Sequence, residues 1–175
     1  MSALTKKAYD FAVKAHEGQK RIGGEDYFYH PLTVMLTLGK ITKETNVLAA
    51  GMLHDVMEDS GVSWEELNKE FNSEIANLVY ELTINEYEKN KIGKRNYLAR
   101  SLMDMSPKAL LIKLADRLHN VSSLIYVEDK KFIKRYYKET IYVLDRLVRP
   151  LDATHLLLMS KIARALRALS KMYNL

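Results

Sequence analysis

The sequence predicts an all-α fold, and three observations carry the prediction. Apolar residues recur three and four apart from Leu4 to Met172, the spacing of a helix face. Capping residues and prolines punctuate those runs. No stretch alternates apolar and polar residues for long enough to read as a strand. The 175 residues suffice for one domain with a substantial core. A single compact multi-helix domain over residues 1–175 is therefore expected, without internal repeats or low-complexity segments.

Leu4, Ala8, Phe11, Ala12 and Ala15 give the first helix its apolar face. The segment EGQKRIGGEDYFYHP breaks that helix, and Pro31 opens a second one in its first turn. Thr42 is expected to cap a third helix that runs through His54. Gly61 ends that region, and Ser63 with Glu66 forms a capping box for a short next helix. Asn72 caps a helix reaching about Asn85. The polar stretch NEYEKNKIGKRN from Asn85 reads as a loop or mobile lid. Ser106-Pro107 starts a further helix by the cap-then-proline signature. Another covers Lys130 to Leu147, Arg149-Pro150 interrupts it, and the last runs from about Leu151 to Met172. Met52, Met57, Met103, Met105 and Met159 recur at helical spacing and read as core filler.

Composition excludes several function classes. No run of eighteen apolar residues is present, so no membrane span and no membrane partner are expected. The N-terminal MSALTKKAYDFAVKAH is amphipathic and has no cleavable apolar region. The absence of cysteine excludes disulfides and thiolate zinc sites and suits a cytoplasmic location. The net charge of +5 suggests anionic partners, nucleic acid or nucleotide phosphates among them. Lys161, Arg164, Arg167 and Lys171 form a basic stripe that reads as a solvated face. His16 and His155 read as ordinary helix residues.

His54-Asp55 is the most informative pair, because it lies inside the apolar stretch VLAAGMLHDVMED. Helix spacing places 47, 50, 51, 54, 55 and 58 on one stripe. With Leu48, Met52, Leu53, Val56 and Met57 on other faces, the helix is apolar nearly all round and should be central. Ionisable groups there need compensation, since a buried unpaired charge is very costly. A bound cation would supply it.

A second acid repeats the pattern. After Pro107, the residues Ala109, Ile112, Asp116, Asn120 and Ser123 share a face, with Lys113 and His119 beside it. Asp116 alone could equally form a structural salt bridge with Lys113 or Arg117. Beside His54-Asp55, a shared site between central helices is the better reading. His30, before Pro31, completes a set of two imidazoles and two carboxylates from three segments. Mixed nitrogen and oxygen donors suit one divalent ion of the manganese, iron, zinc or nickel type better than calcium or magnesium. Glu58 and Asp59 lie one turn beyond the doublet and could orient or deprotonate a water. As a helix C-terminal cluster they would oppose the dipole, which favours a functional role.

His30, the doublet His54-Asp55 and Asp116 match the pattern of the HD superfamily of metal-dependent phosphohydrolases. HEGQKR (16–21), YHP (29–31), LHDVMED (53–59) and IKLADRLHN (112–120) further resemble the hydrolase domain of RelA/SpoT-type enzymes. The resemblance spans roughly Ala8 to Leu124. It implies removal of the 3′-diphosphate from guanosine tetra- and pentaphosphate, with manganese as the first choice of metal. It also implies a stand-alone small alarmone hydrolase, because 175 residues leave no room for a synthetase domain. In the resembled family the Glu58-Asp59 pair is catalytic, the residue at Arg21 contacts the guanosine nucleotide, and Asn120 binds substrate. Lys20 is a similar but less specific cation. Ser123 keeps the hydroxyl of a common threonine. Ile22 and Ser122 depart from the family pattern, each standing where a basic residue is common.

Two alternatives remain beside this reading. One is a related phosphohydrolase for another nucleotide, such as a nucleoside monophosphate or a phosphorylated dinucleotide. The other is a basic, metal-stabilised module that binds a nucleotide or nucleic acid without turning it over. The Glu58-Asp59 pair favours catalysis.

Overall fold

A computed structural model describes residues 1–175. Its regular structure is α-helix apart from one 3-10 turn at Leu124–Tyr126 and an isolated bridge between Lys20 and Asp26. No helix is long and apolar enough to cross a membrane. The chain separates into two compact units, Met1–Ile84 and Asn85–Leu175.

The first unit holds α1 (Ala3–Ala15), α2 (Tyr29–Leu38), α3 (Thr45–Leu53), α4 (Val56–Ser60), α5 (Trp64–Glu70) and α6 (Ser73–Leu82). As expected, α3 is the central element: α1, α2 and α6 all pack on it. Val47 and every residue from Ala49 to Leu53 are buried there. The approach of α2 is close at Gly51, where a Cβ would stand 2.5 Å from Leu38 Cδ1. Only glycine fits at that crossing without moving a fully buried leucine.

Several local signals act as the sequence implies. Ser63 Oγ accepts from Glu66 N at 3.1 Å, and Asn72 Oδ1 accepts from Ile75 N at 3.0 Å. Gly61 takes φ +67° to end α4. Thr42 does not cap α3. Its hydroxyl accepts instead from Glu44 N at 3.1 Å, and Glu44 occupies the cap position with its side chain not serving as the cap. The stretch carrying His54 is also not one helix. The chain turns at His54-Asp55, and the five-residue α4 starts afresh at Val56.

The second unit holds α7 (Glu86–Ile92), α8 (Lys94–Asp104), α9 (Pro107–Ser123), α10 (Lys130–Asp145) and α11 (Ala153–Tyr173). Here α9 packs on α11 and α10, and α10 packs on α8. Ser106 Oγ accepts from Ala109 N at 3.3 Å with Pro107 at the first helical position, as the sequence indicates. The expected polar loop from Asn85 is instead α7 and the start of α8. Asn85 Oδ1 accepts from Glu88 N at 3.1 Å, acids fill the first turn and lysines the last. Because α7 buries no residue, it leaves no apolar period to read. Gly93, at φ +82°, separates the two helices. Of the methionines expected in the core, Met103 is exposed.

Candidate metal centre and its surroundings

The first unit gathers three of the expected donors. His30 enters from the first turn of α2, His54 ends α3, and Asp55 precedes α4. The Nε2 atoms of His30 and His54 lie 3.2 Å apart. Asp55 Oδ2 lies 3.2 Å from His54 Nε2 and 3.5 Å from His30 Nε2. Both imidazoles are almost fully buried, while Asp55 is partly open.

On a continuous helix, neighbours point about 100° apart. His54 and Asp55, both with right-handed helical backbone, nevertheless reach one point through their side chains, Asp55 Oδ2 lying 3.2 Å from His54 Nε2. His54 Nδ1 lies 3.0 Å from the carbonyl oxygen of Gly51. That acceptor calls for a proton on Nδ1 and leaves the Nε2 lone pair toward His30 and Asp55. Two imidazole nitrogens and a carboxylate oxygen converging in this way form a donor set that fits a divalent transition metal.

Tyr27 is the participant that sequence reasoning missed. Its hydroxyl donates to Asp55 Oδ2 at 2.8 Å, and its ring meets the His30 ring edge-on at 5.9 Å. Burial first, then the Asp55 and Asp59 carboxylates, push its pKa well above the ordinary tyrosine value. It therefore remains a neutral donor. Its spacing, two residues before the YHP motif and three before His30, was the available signal.

Glu58 and Asp59 are exposed, in the first turn of α4. That placement reverses the expected dipole argument, since acids are favoured in a first turn. Glu58 Oε2 accepts from Ile84 N at 3.3 Å, and Gln19 donates to the Asp59 carbonyl at 3.0 Å. Arg21 sits in a tight turn in which its N–H donates to Glu25 O at 2.9 Å. Its guanidinium pairs with Glu25 at 3.8 Å and stands 5.8 Å from the Tyr27 ring centroid. Lys20 pairs with Asp26 at an exposed site.

In the second unit, Asp116 lies buried on α9. Lys113 Nζ approaches its carboxylate at 3.2 Å, and the Asn120 side-chain amide donates to it. Ser123 Oγ donates back to His119 O at 2.9 Å. Beside these, Arg117 pairs with Glu139 at 3.2 Å, both nearly fully buried, and Lys94 reaches the other Glu139 oxygen at 3.2 Å. Burial works against the Arg117 charge, but the surrounding anionic groups, Asp116 and Glu139 among them, outweigh it and raise its pKa. Arg117 is thus engaged in structure. His155 is likewise structural, bridging Asp152 and the Pro107 carbonyl at 2.8 Å each.

Comparison with known proteins matches this arrangement to one family. The HD domain matches residues 8–153. Over 147 residues the chain is 35% identical to a guanosine-3′,5′-bis(diphosphate) 3′-pyrophosphohydrolase of Aquifex aeolicus, covering 78% of this chain and 20% of that protein. A protein of the same name from Spiroplasma citri is 38% identical over 130 residues, covering 71% of this chain and 17% of the relative. The chain thus spans about a fifth of the length of these curated relatives. Among solved structures, a metazoan ortholog of SpoT that hydrolyzes ppGpp superposes with a TM-score of 0.82 at 28% identity, covering 97% of this chain and 98% of that one. The HD match extends over most of the sequence and includes His30, His54, Asp55 and Asp116, and the chain belongs to the HD domain family.

Proposed function

We propose that the chain is a metal-dependent phosphohydrolase that removes the 3′-diphosphate of guanosine tetra- and pentaphosphate as pyrophosphate. The observation that carries this reading is the convergence of His30 Nε2, His54 Nε2 and Asp55 Oδ2 within 3.5 Å of one another on an HD domain chain. The names of its relatives and the activity of the metazoan SpoT ortholog support the substrate. That structural likeness covers nearly the whole chain, which supports reading 1–175 as one functional domain.

The ligand set we assign is His30, His54, Asp55 and Asp116, the last by its place in the family motif IKLADRLHN. One divalent ion, manganese by first choice and iron, zinc or nickel by similar donor preference, suits it. Such an ion, when bound, lowers the pKa of a water and polarises a phosphoryl oxygen.

The chain's own groups supply the rest. Gly51 O holds the His54 ring in orientation. Glu58 or Asp59, both open to solvent, takes the proton as water attacks the phosphorus joined to the ribose 3′-oxygen. The bond from that phosphorus to the ribose breaks, pyrophosphate leaves, and the 3′-oxygen takes up a proton. Arg21 forks to the nucleotide as only a planar guanidinium can, with Lys20, Asn120 and Ser123 contributing contacts.

Incubating the protein with guanosine tetraphosphate and Mn²⁺, then separating products, tests this. Guanosine diphosphate and pyrophosphate in equal amounts are expected. Orthophosphate as the product, or no turnover by manganese-loaded protein, would overturn the assignment.

A further inference from the structure

Tyr27 joins two groups that the proposed reaction uses for different purposes. Its hydroxyl donates to Asp55 Oδ2 at 2.8 Å, the same oxygen that faces both imidazoles. Its ring carries the Arg21 guanidinium 5.8 Å from the centroid. The ring is itself fixed, since His16 packs against it at 4.9 Å with a 35° tilt. His16 is nearly fully buried, and its Nδ1 lies 2.8 Å from Gln19 Oε1. The His30 ring also meets it edge-on at 5.9 Å.

A carboxylate can rotate about its χ2 bond, and that torsion is broad. A phenol donor on one oxygen fixes it. Hydrogen-bond partners that orient metal ligands in this way matter nearly as much as the ligands. We infer that Tyr27 is a positioning residue: its hydroxyl orients Asp55 toward the metal, while its ring sets where Arg21 stands to receive the nucleotide. One rigid side chain thereby couples the reacting centre to the binding cation. The inference rests on the metal reading above.

The two halves separate by substitution. Tyr27→Phe keeps the ring and loses the hydroxyl; Tyr27→Leu loses both. Metal-free protein is titrated with Mn²⁺, free ion being read by electron paramagnetic resonance. Tyr27→Phe is expected to bind Mn²⁺ about 10-fold more weakly. Its metal-free melting temperature should hold, as should its KM for guanosine tetraphosphate at saturating Mn²⁺. Tyr27→Leu should match that Mn²⁺ loss and also raise KM about 2- to 5-fold, the scale of an exposed cation–π contact. Wild-type Mn²⁺ affinity in Tyr27→Phe overturns the hydroxyl's role, and equal KM values in the two variants overturn the ring's. Wild-type protein that binds no Mn²⁺ overturns the metal reading and this inference together. Wild-type protein that binds Mn²⁺ but leaves guanosine tetraphosphate intact overturns the substrate reading and the ring's role with it. The titration of Tyr27→Phe then decides the hydroxyl alone.

Discussion

His54 Nδ1 lies 3.0 Å from the carbonyl oxygen of Gly51, so one residue joins packing to chemistry. The missing Cβ of Gly51 admits Leu38 of α2, while its carbonyl orients the imidazole of a candidate ligand. The close crossing of α2 and α3 also brings His30, on α2, toward His54 at the end of α3.

Gly51→Ala should therefore destabilise the protein despite the better helix propensity of alanine. Overpacking typically costs about 1–3 kcal/mol, against a propensity gain of up to about 1 kcal/mol. A net loss of ~1 kcal/mol by urea denaturation is expected, and a larger one for Gly51→Val. A Gly51→Ala protein more stable than wild type would show that Leu38 moves freely, contrary to its full burial.

Asp55→Ala and Asp116→Asn should each lose both metal and turnover. Glu58→Ala should retain the metal and lose turnover by about 10²–10⁴-fold, the range of a general base. Metal content by atomic absorption, measured beside the rate, separates the cases. An active Asp55→Ala protein would refute the ligand assignment.

Glu139→Ala should cost about 3–5 kcal/mol, because it strands the buried Arg117 charge without its partner. Thermal melts would show this as a large drop. Replacing the exposed Asp26 of the Lys20 pair should change stability by less than about 1 kcal/mol.

Alkaline pH should unfold the metal-free protein through Tyr27 and Tyr136, whose pKa values burial raises first of all. Both hold their protons in the folded state, whereas the unfolded chain releases them near 10.0. Stability is therefore fully present below that pH and falls above it, by up to about 1.4 kcal/mol per pH unit for each tyrosine. Urea midpoints measured between pH 9 and 11 test this. Tyr27→Phe should flatten the slope, and an unchanged slope would contradict the shift at Tyr27.

The sequence determined the helical class and most boundaries, because caps and apolar periods are local signals. Ser63, Asn72 and Ser106 cap the helices their positions imply. It also determined the candidate ligands, since His54, Asp55 and Asp116 are polar residues where the period demands apolar ones. Charge-paired α7 escaped that reading, because a helix that buries nothing leaves no period to find. Tertiary structure alone decided how the donors converge. The Gly51 crossing and the Tyr27 hydroxyl on Asp55 depend on contacts between segments far apart in sequence. A linear pattern names the residues that carry a burial cost, but only the packed chain shows which partner relieves it.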